Sequence, residues 1–334
     1  MQLLRLVVMV FLAFAGLTAA ASPAEREQAV RVFVDEMVDR HGFDRAALMQ
    51  LMGKARFQGS IIKAMQRPAE AKPWYQYRPI FVTSTHTRGG VQFWQQNQAL
   101  LERAEREYGV APEIIVAIIG VETRYGGNTG KHRVLDSLST LAFGYPKRAK
   151  FFRKQLEELL LLGREEGIDI LEVKGSYAGA MGMPQFIPSS YRAYAVDFDG
   201  DGRRDLLHST ADAIGSVANY FRRHGWKTGA TVTLRARTGN RNLDKLVKAG
   251  MKPSLSPERL AEHGVKVDAE LPRTTKASLV RLENKQDQEY WLGLNNFYVI
   301  TRYNHSNLYA MAVYQLSRKI FALRTAGVDE SATR

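Results

Sequence analysis

Cysteine is absent from the 334-residue chain, which excludes disulfides, thiolate metal sites, a cysteine nucleophile and a lipid-modified N-terminal cysteine. Proline is scarce, at 11 residues, and with 45% apolar and 24% charged residues the composition is globular rather than disordered or fibrous. Acidic residues are the minority charge: 34 Asp and Glu face 47 Lys and Arg, a formal charge of +13. That excess favours an anionic partner, whether nucleic acid, anionic lipid or an acidic polymer of the cell envelope. The basic residues are dispersed and no nucleic-acid-binding motif occurs, which argues against the first. Long apolar runs are confined to the N-terminus. There Arg5 is the only charge before the unbroken run Leu6 to Ala15, and Thr18-Ala19-Ala20-Ala21 supplies small residues for cleavage. This is the pattern of a secretory signal over 1–21, too short to span a bilayer comfortably, with an uncleaved anchor as the alternative. An exported chain without stable membrane insertion, not a lipoprotein, is expected, with the mature protein starting at Ser22.

The length allows about two domains. Ser22-Pro23 reads as an N-cap and first helical residue, followed by Val30, Phe33, Val34, Met37 and Val38 on one helical face, with Gly42 as the stop. Asp44 caps a short second helix through Met52. Ala71 to His86, carrying Pro73 and Pro79, reads as an extended crossing segment, and Gly90 to Tyr108 returns to helix. Pro112 opens the most apolar helix, Glu113 to Glu122, which has almost no polar face and must be central. Further helices are expected at Lys147 to Arg164, Ala211 to His224 and Asn307 to Leu323. From Thr231 the period changes: Val232, Leu234 and Ala236 alternate with polar neighbours, as do Phe297, Val299 and Thr301, with short strands at Leu279 to Leu282 and Tyr290 to Leu294.

Glu122 lies at the end of the apolar helix in Gly120-Val121-Glu122-Thr123-Arg124-Tyr125-Gly126. Desolvation by the isoleucines and the negative end of the helix dipole both favour a protonated carboxyl group, as a general acid on a glycosidic oxygen requires. A surface glutamate paired with Arg124 is the equally simple alternative. Ordinary glycoside hydrolysis uses a second carboxylate. Glu113 cannot supply it, because nine residues turn the helix through about 900°, to its opposite side. Asp136 and Glu172 have no place assigned by spacing.

A second motif is Asp197-Phe198-Asp199-Gly200-Asp201-Gly202-Arg203-Arg204-Asp205, the first nine positions of a calcium loop. Asp197, Asp199, Asp201 and Asp205 are the carboxylates, Gly202 makes the turn and Arg203 offers its carbonyl. Position 12 is His208 rather than glutamate. An Asp-Gly turn without an ion remains the alternative.

The Gly120 to Gly126 segment, Ser137-Leu138-Ser139-Thr140-Leu141-Ala142 and Gly175-Ser176-Tyr177-Ala178-Gly179-Ala180-Met181-Gly182-Met183-Pro184-Gln185-Phe186 resemble the lytic murein transglycosylase B family. So do Asp212 to Phe221 and Tyr303-Asn304-His305-Ser306, in the same order over about Tyr75 to Tyr314. The resemblance implies a mainly α (α+β) fold: a lysozyme-like helical core, a helical N-terminal subdomain and a small inserted β-containing subdomain. It implies non-hydrolytic cleavage between N-acetylmuramic acid and N-acetylglucosamine of peptidoglycan, with Glu122 as acid and then base and the substrate's own N-acetyl group assisting. A second carboxylate is then unnecessary.

By the same resemblance Tyr77, Ser176, Gln185, Tyr220, Tyr303 and Asn304 match residues that line the glycan cleft, although spacing alone puts Tyr220 in the core. Lys147 and Arg148 match a basic pair suited to peptide-stem carboxylates, surface solvation being the simpler account. Asp212 matches the residue that closes a lengthened calcium loop. The implied cofactor is Ca2+, with no organic one, the partners are glycan strands with their peptide stems and not nucleic acid, and the location is the periplasm. Competing readings are a hydrolytic muramidase and a non-catalytic murein-binding protein. The expected division is 1–21 signal, 22–110 helical subdomain, 111–228 core with the calcium loop, 229–300 β-containing subdomain and 301–334 returning helix.

Overall fold

The computed structural model describes residues 22–66, 72–239 and 241–332, with side chains as far as 326, so the expected signal at 1–21 lies outside the described residues. The first helix, Pro23–His41, starts on a reciprocal cap in which the Ser22 amide donates to the Glu25 carboxylate at 2.7 Å and the Glu25 amide donates back to the Ser22 hydroxyl. It stops where Gly42 takes the left-handed conformation at φ 64°. Asp44 caps the next helix, Arg45–Gly53.

Pro112–Thr123 is the hub. Every residue from Ile114 to Val121 is buried, and the Ser84–Gln96, Gln98–Tyr108, Thr210–Arg223 and Asn307–Ala332 helices pack around it. Each isoleucine enclosed there contributes about 1.5–3 kcal/mol. A second apolar core joins the N-terminal helices to Val134–Gly144 and Ala149–Glu166. The two cores meet at the ring of Tyr303, which packs on Phe186 and Tyr220 of one and on Phe221 and Tyr309 of the other.

A four-stranded antiparallel sheet runs in the order Val265–Lys266, Thr233–Thr238, Gln288–Gly293, Ser278–Glu283. Its edge strand Ser278–Glu283 shows why the sheet is not a separate bead: Leu279 faces the sheet's own small core, while Val280 and Leu282 enter the main one. The alternation read at Val232 to Ala236 and the strands at Leu279 to Leu282 and Tyr290 to Leu294 correspond to these elements.

Two readings of the sequence are overturned. The segment ending at His86 is helical, as Trp74–Phe81 followed by Ser84–Gln96. Pro73 sits just ahead of the first helical residue, where its missing N–H costs nothing, and Pro79 is carried inside the helix because Trp74 and Tyr77 are each only 1% exposed. Phe297, Val299 and Thr301 lie on a helix, Asn295–Tyr303, not a strand. A five-residue alternation is compatible with both periods, and burial of Phe297, Ile300 and Thr301 at three- and four-residue spacing decides for the helix. Asn296 anchors its start, accepting from the Lys227 amide and donating to the Lys227 and Ala230 carbonyls.

The hub helix tolerates a glycine at 120 for a steric reason. A Cβ there would stand 2.5 Å from the Tyr125 hydroxyl, which donates to the His86 carbonyl at 2.6 Å. Gly120→Ala gains about 1 kcal/mol of helix propensity but overpacks this contact at about 1–3 kcal/mol. A lowered melting temperature is therefore expected; an unchanged one would mean that the Tyr125 ring yields freely.

Candidate active site

Glu122 is the penultimate residue of the hub helix and half-buried. The Tyr309 hydroxyl, on the C-terminal helix, donates to its Oε1 at 2.5 Å. Tyr309 is 2% exposed, and its ring is nearly parallel to that of Tyr303, at 8° and 6.4 Å between centroids. Burial first, and then the charge of Glu122, push both phenols well above the ordinary tyrosine range, so both remain donors. The helix ends abruptly because Arg124 and Tyr125 both take positive φ, 53° and 62°. Thr123 ties this turn down, its hydroxyl donating to the Met183 carbonyl and accepting from the Gly126 amide. Arg124 is exposed; burial and the Arg124 charge hold His86 below the usual histidine range.

The segment Gly175 to Phe186 folds back on itself beside this turn. Met181 bridges to Gly175 and Phe186, and the Ser176 hydroxyl accepts from the Ala178 and Ala180 amides at 3.3 and 3.0 Å. Gly182 has φ 71°, and a Cβ on it would stand 2.2 Å from the Leu206 carbonyl oxygen. Gln185 is left-handed at φ 51° and donates from Nε2 to the Thr129 and Gly182 carbonyls.

Among the residues singled out by sequence, Tyr303 and Tyr220 share one aromatic cluster, but their hydroxyls donate to the Pro184 and Arg302 carbonyls. Tyr77 is buried, packed on Trp74 and Phe81, and near enough to Tyr309 to help keep that phenol protonated. Asn304 is half-buried at the C-terminal end of the Asn295–Tyr303 helix, with extended backbone and its carbonyl accepting from the Ser306 amide at 2.7 Å. Lys147 and Arg148 lie exposed on a 3-10 turn, Pro146–Arg148, where the Arg148 guanidinium covers the Phe151 ring at 4.3 Å.

The other acids are accounted for. Glu113 faces Arg318 at the far end of the hub, and Glu172 is exposed. Asp136 is 4% exposed and accepts from the Arg56 amide, Gln58 Nε2 and the Arg133 guanidinium. Tyr309 was not legible as a partner of Glu122: within an apolar helical stripe a tyrosine reads as core, and only the need of a buried hydroxyl for an acceptor hints otherwise.

In the acidic loop, one oxygen each of Asp197, Asp199 and Asp212 lie within 4.8 Å of one another. Asp212 is fully buried and accepts from the Phe198 and Asp205 amides at 2.6 and 2.7 Å; burial raises its pKa against those bonds. Asp197 accepts from the Gly202, Gly200 and Asp201 amides, which lower its own. Asp201 instead accepts from the Arg203 amide and Asp205 from Leu207 and His208, so neither joins the cluster. Arg204, an unusual residue for such a loop, is tied to Glu166, while its carbonyl accepts from the Tyr191 hydroxyl. Three converging carboxylates form a hard-oxygen donor set that fits Ca2+.

A mainly α body around one buried central helix, with few small sheets, is a lysozyme-like fold. Residues 25–318 match the family model described as Transglycosylase SLT domain. The chain is 47% identical over 302 residues to the membrane-bound lytic murein transglycosylase B of Escherichia coli K12, covering 87% of this chain and 82% of that protein. The crystal structure of soluble lytic transglycosylase SltB1 from Pseudomonas aeruginosa superposes with a TM-score of 0.84 at 50% identity, covering 89% and 99% of the two chains. Escherichia coli lytic transglycosylase Slt35 in complex with calcium superposes with a TM-score of 0.81 at 45% identity, covering 90% and 94%. The chain belongs to the transglycosylase SLT domain family and is a lytic transglycosylase. Among the described residues no helix is long and apolar enough to cross a membrane.

The phenols give a direct check on the site. On alkaline titration followed by ultraviolet absorbance, Tyr303 and Tyr309 should stay protonated until the protein unfolds, as should Tyr125, Tyr191 and Tyr220, which burial also raises. Ionisation of all 14 tyrosines in the folded state would contradict the enclosed geometry.

Proposed function

We propose that the chain cleaves the β-1,4 bond between N-acetylmuramic acid and N-acetylglucosamine of peptidoglycan without water, leaving a 1,6-anhydro end. The reading is carried by one observation: a half-buried glutamate at the end of an apolar helix, with a buried phenol donating to Oε1 at 2.5 Å, in a chain of this family. Glu122 as acid gives its proton to the bridging oxygen as the bond to C1 breaks, and the acetamide oxygen of the same sugar holds the positive charge from the opposite face. Glu122, now a carboxylate, takes the proton of the C6 hydroxyl, and O6 closes on C1 as the acetamide leaves. The departing sugar gains one proton, the C6 hydroxyl loses one, and Glu122 ends as it began. Tyr309 fixes the carboxyl orientation between the two steps.

Ser176, Gln185 and Asn304 are assigned to the glycan, Asn304 orienting the acetamide. Tyr77, Tyr220 and Tyr303 form the aromatic wall that holds the groups around the reacting sugar, since two of their hydroxyls are spent on backbone carbonyls. Lys147 and Arg148 are assigned to stem-peptide carboxylates. The division at 110, 228 and 300 and a periplasmic location after loss of 1–21 complete the reading.

Glu122→Gln keeps size and a hydrogen-bonding group but can be neither acid nor base. Release of anhydro-muropeptides from purified murein should fall by at least about three powers of ten, or about 4 kcal/mol, while glycan binding persists. Turnover like the wild type would remove Glu122 from the mechanism. Products heavier by one water in mass spectrometry would make the enzyme a hydrolytic muramidase instead.

The acidic loop is assigned to a structural Ca2+, held by Asp197, Asp199 and Asp212, with the Arg203 carbonyl, and with Asp201 and Asp205 exchanging their backbone amide bonds for the ion, to complete the ring. The ion would neutralise carboxylates that otherwise repel one another and pin the loop to the Thr210–Arg223 helix. Calcium at a hundredfold excess over its dissociation constant should stabilise the fold by about 2.7 kcal/mol. Asp197→Ala with Asp199→Ala should abolish that increment, read as the calcium-dependent change in melting temperature. A melting temperature indifferent to calcium and chelator would dismiss the ion.

A further inference from the structure

A cavity of about 520 Å3 opens between the Trp74–Phe81 helix, the sheet and the C-terminal helix. Trp291 and Tyr314, both half-buried, give it aromatic faces, over the buried ring of Trp74. Arg78, Arg235, Arg318 and Lys319 give it positive charge, against Glu289 as its one acidic lining residue. Arg235 and Trp291 face each other across neighbouring strands, the guanidinium 6.0 Å from the indole centroid, and Trp291 meets Tyr314 edge-on. The Trp291 indole N–H is buried with no hydrogen-bond partner among the described residues. Such a donor is costly to leave unmet, and an acceptor entering the cavity beside Trp291 would satisfy it.

The cavity stands apart from the cleft. The hub and C-terminal helices run antiparallel, with Glu122 on Tyr309 at one end and Glu113 near Arg318 at the other. Nine residues separate the two contacts on each helix, or about 14 Å at 1.5 Å per residue. Nothing assigned to catalysis lines the cavity.

We propose that this cavity is a second, non-catalytic binding site for peptidoglycan, taking a muramyl unit with its sugar face on the aromatic rings and its carboxylate on Arg78, Arg235 and Lys319. Flat aromatic faces suit the apolar side of a sugar ring, guanidinium groups suit carboxylates, and the indole N–H suits an acetamide oxygen. The site rests on the substrate assigned above and holds murein while Glu122 acts elsewhere along it.

The test uses the full chain carrying Glu122→Gln, which binds without turnover, and co-sedimentation with purified sacculi. Arg235→Glu with Lys319→Glu should weaken retention about tenfold or more, and Trp291→Phe, which keeps a ring but removes the N–H, severalfold. The Arg235 side chain is 70% exposed and Lys319 is exposed, so the charge reversals do not disturb the core. With Glu122 intact, the same charge reversals should leave turnover of short soluble glycan strands within about twofold. Soluble muropeptides should displace the chain from sacculi at concentrations where polyglutamate does not. Unchanged retention of the variants, equal displacement by polyglutamate, or loss of short-strand turnover in parallel would each overturn the site. A Glu122→Gln chain that still turns murein over would sink the assignment of Glu122 and is a separate result, read on the products rather than on retention.

Discussion

The burial of one helix on all sides organises the molecule. Pro112–Thr123 has no apolar stripe; from Ile114 to Val121 it is apolar on every side, and so helices must enclose it rather than flank it. Enclosure leaves only its ends for chemistry. The N-terminal end carries Glu113 beside Arg318, and the C-terminal end carries Glu122 beneath the Tyr309 hydroxyl. A carboxylate in that position is held by the rigidity of the whole core, because the neighbouring backbone turns sharply at Arg124 and Tyr125 and is tied by Thr123 to Met183.

The second constraint is the joint between the two apolar cores. Tyr303 belongs to both, and the short helix that carries it is anchored at its start by Asn296 and at its end by the Tyr303 hydroxyl on Pro184. That last bond couples the C-terminal helices to the Gly175 to Phe186 segment, so groups distant in sequence are set by one stack of rings. Close-packed aromatic junctions resist small displacements because each ring is a neighbour's wall. Precision at Glu122 is thus inherited from packing, not from a local motif.

Charge follows the same division between enclosed and open. The excess of base over acid is spread across the surface, but in the Trp291 and Tyr314 cavity four cations meet aromatic faces, opposed by Glu289 beside Arg235 and by Glu113 behind Arg318. In the loop the imbalance reverses, with three carboxylates converging and Arg204 drawn away by Glu166. Each concentration of like charge is sustained by the fold around it and suits a ligand of opposite sign.

Sequence by itself determined the central helix, Glu122 at its end, the glycines of the Gly175 to Phe186 segment, the capping of the first two helices and the acidic loop. These are local: a run of isoleucine and valine, a cap at fixed spacing or acids at alternate positions act on the backbone within a few residues. It misread Phe297 to Thr301 and the segment around Pro79, since five alternating residues satisfy two periods and proline disfavours a helix that buried Trp74 and Tyr77 nonetheless sustain. Only the tertiary structure decided that Tyr309, 187 residues from Glu122, supplies its hydrogen bond, and that Tyr220 and Tyr303 spend their hydroxyls on backbone carbonyls. The reason is physical: a buried polar group must find a partner wherever packing puts one, and packing is set by the whole chain.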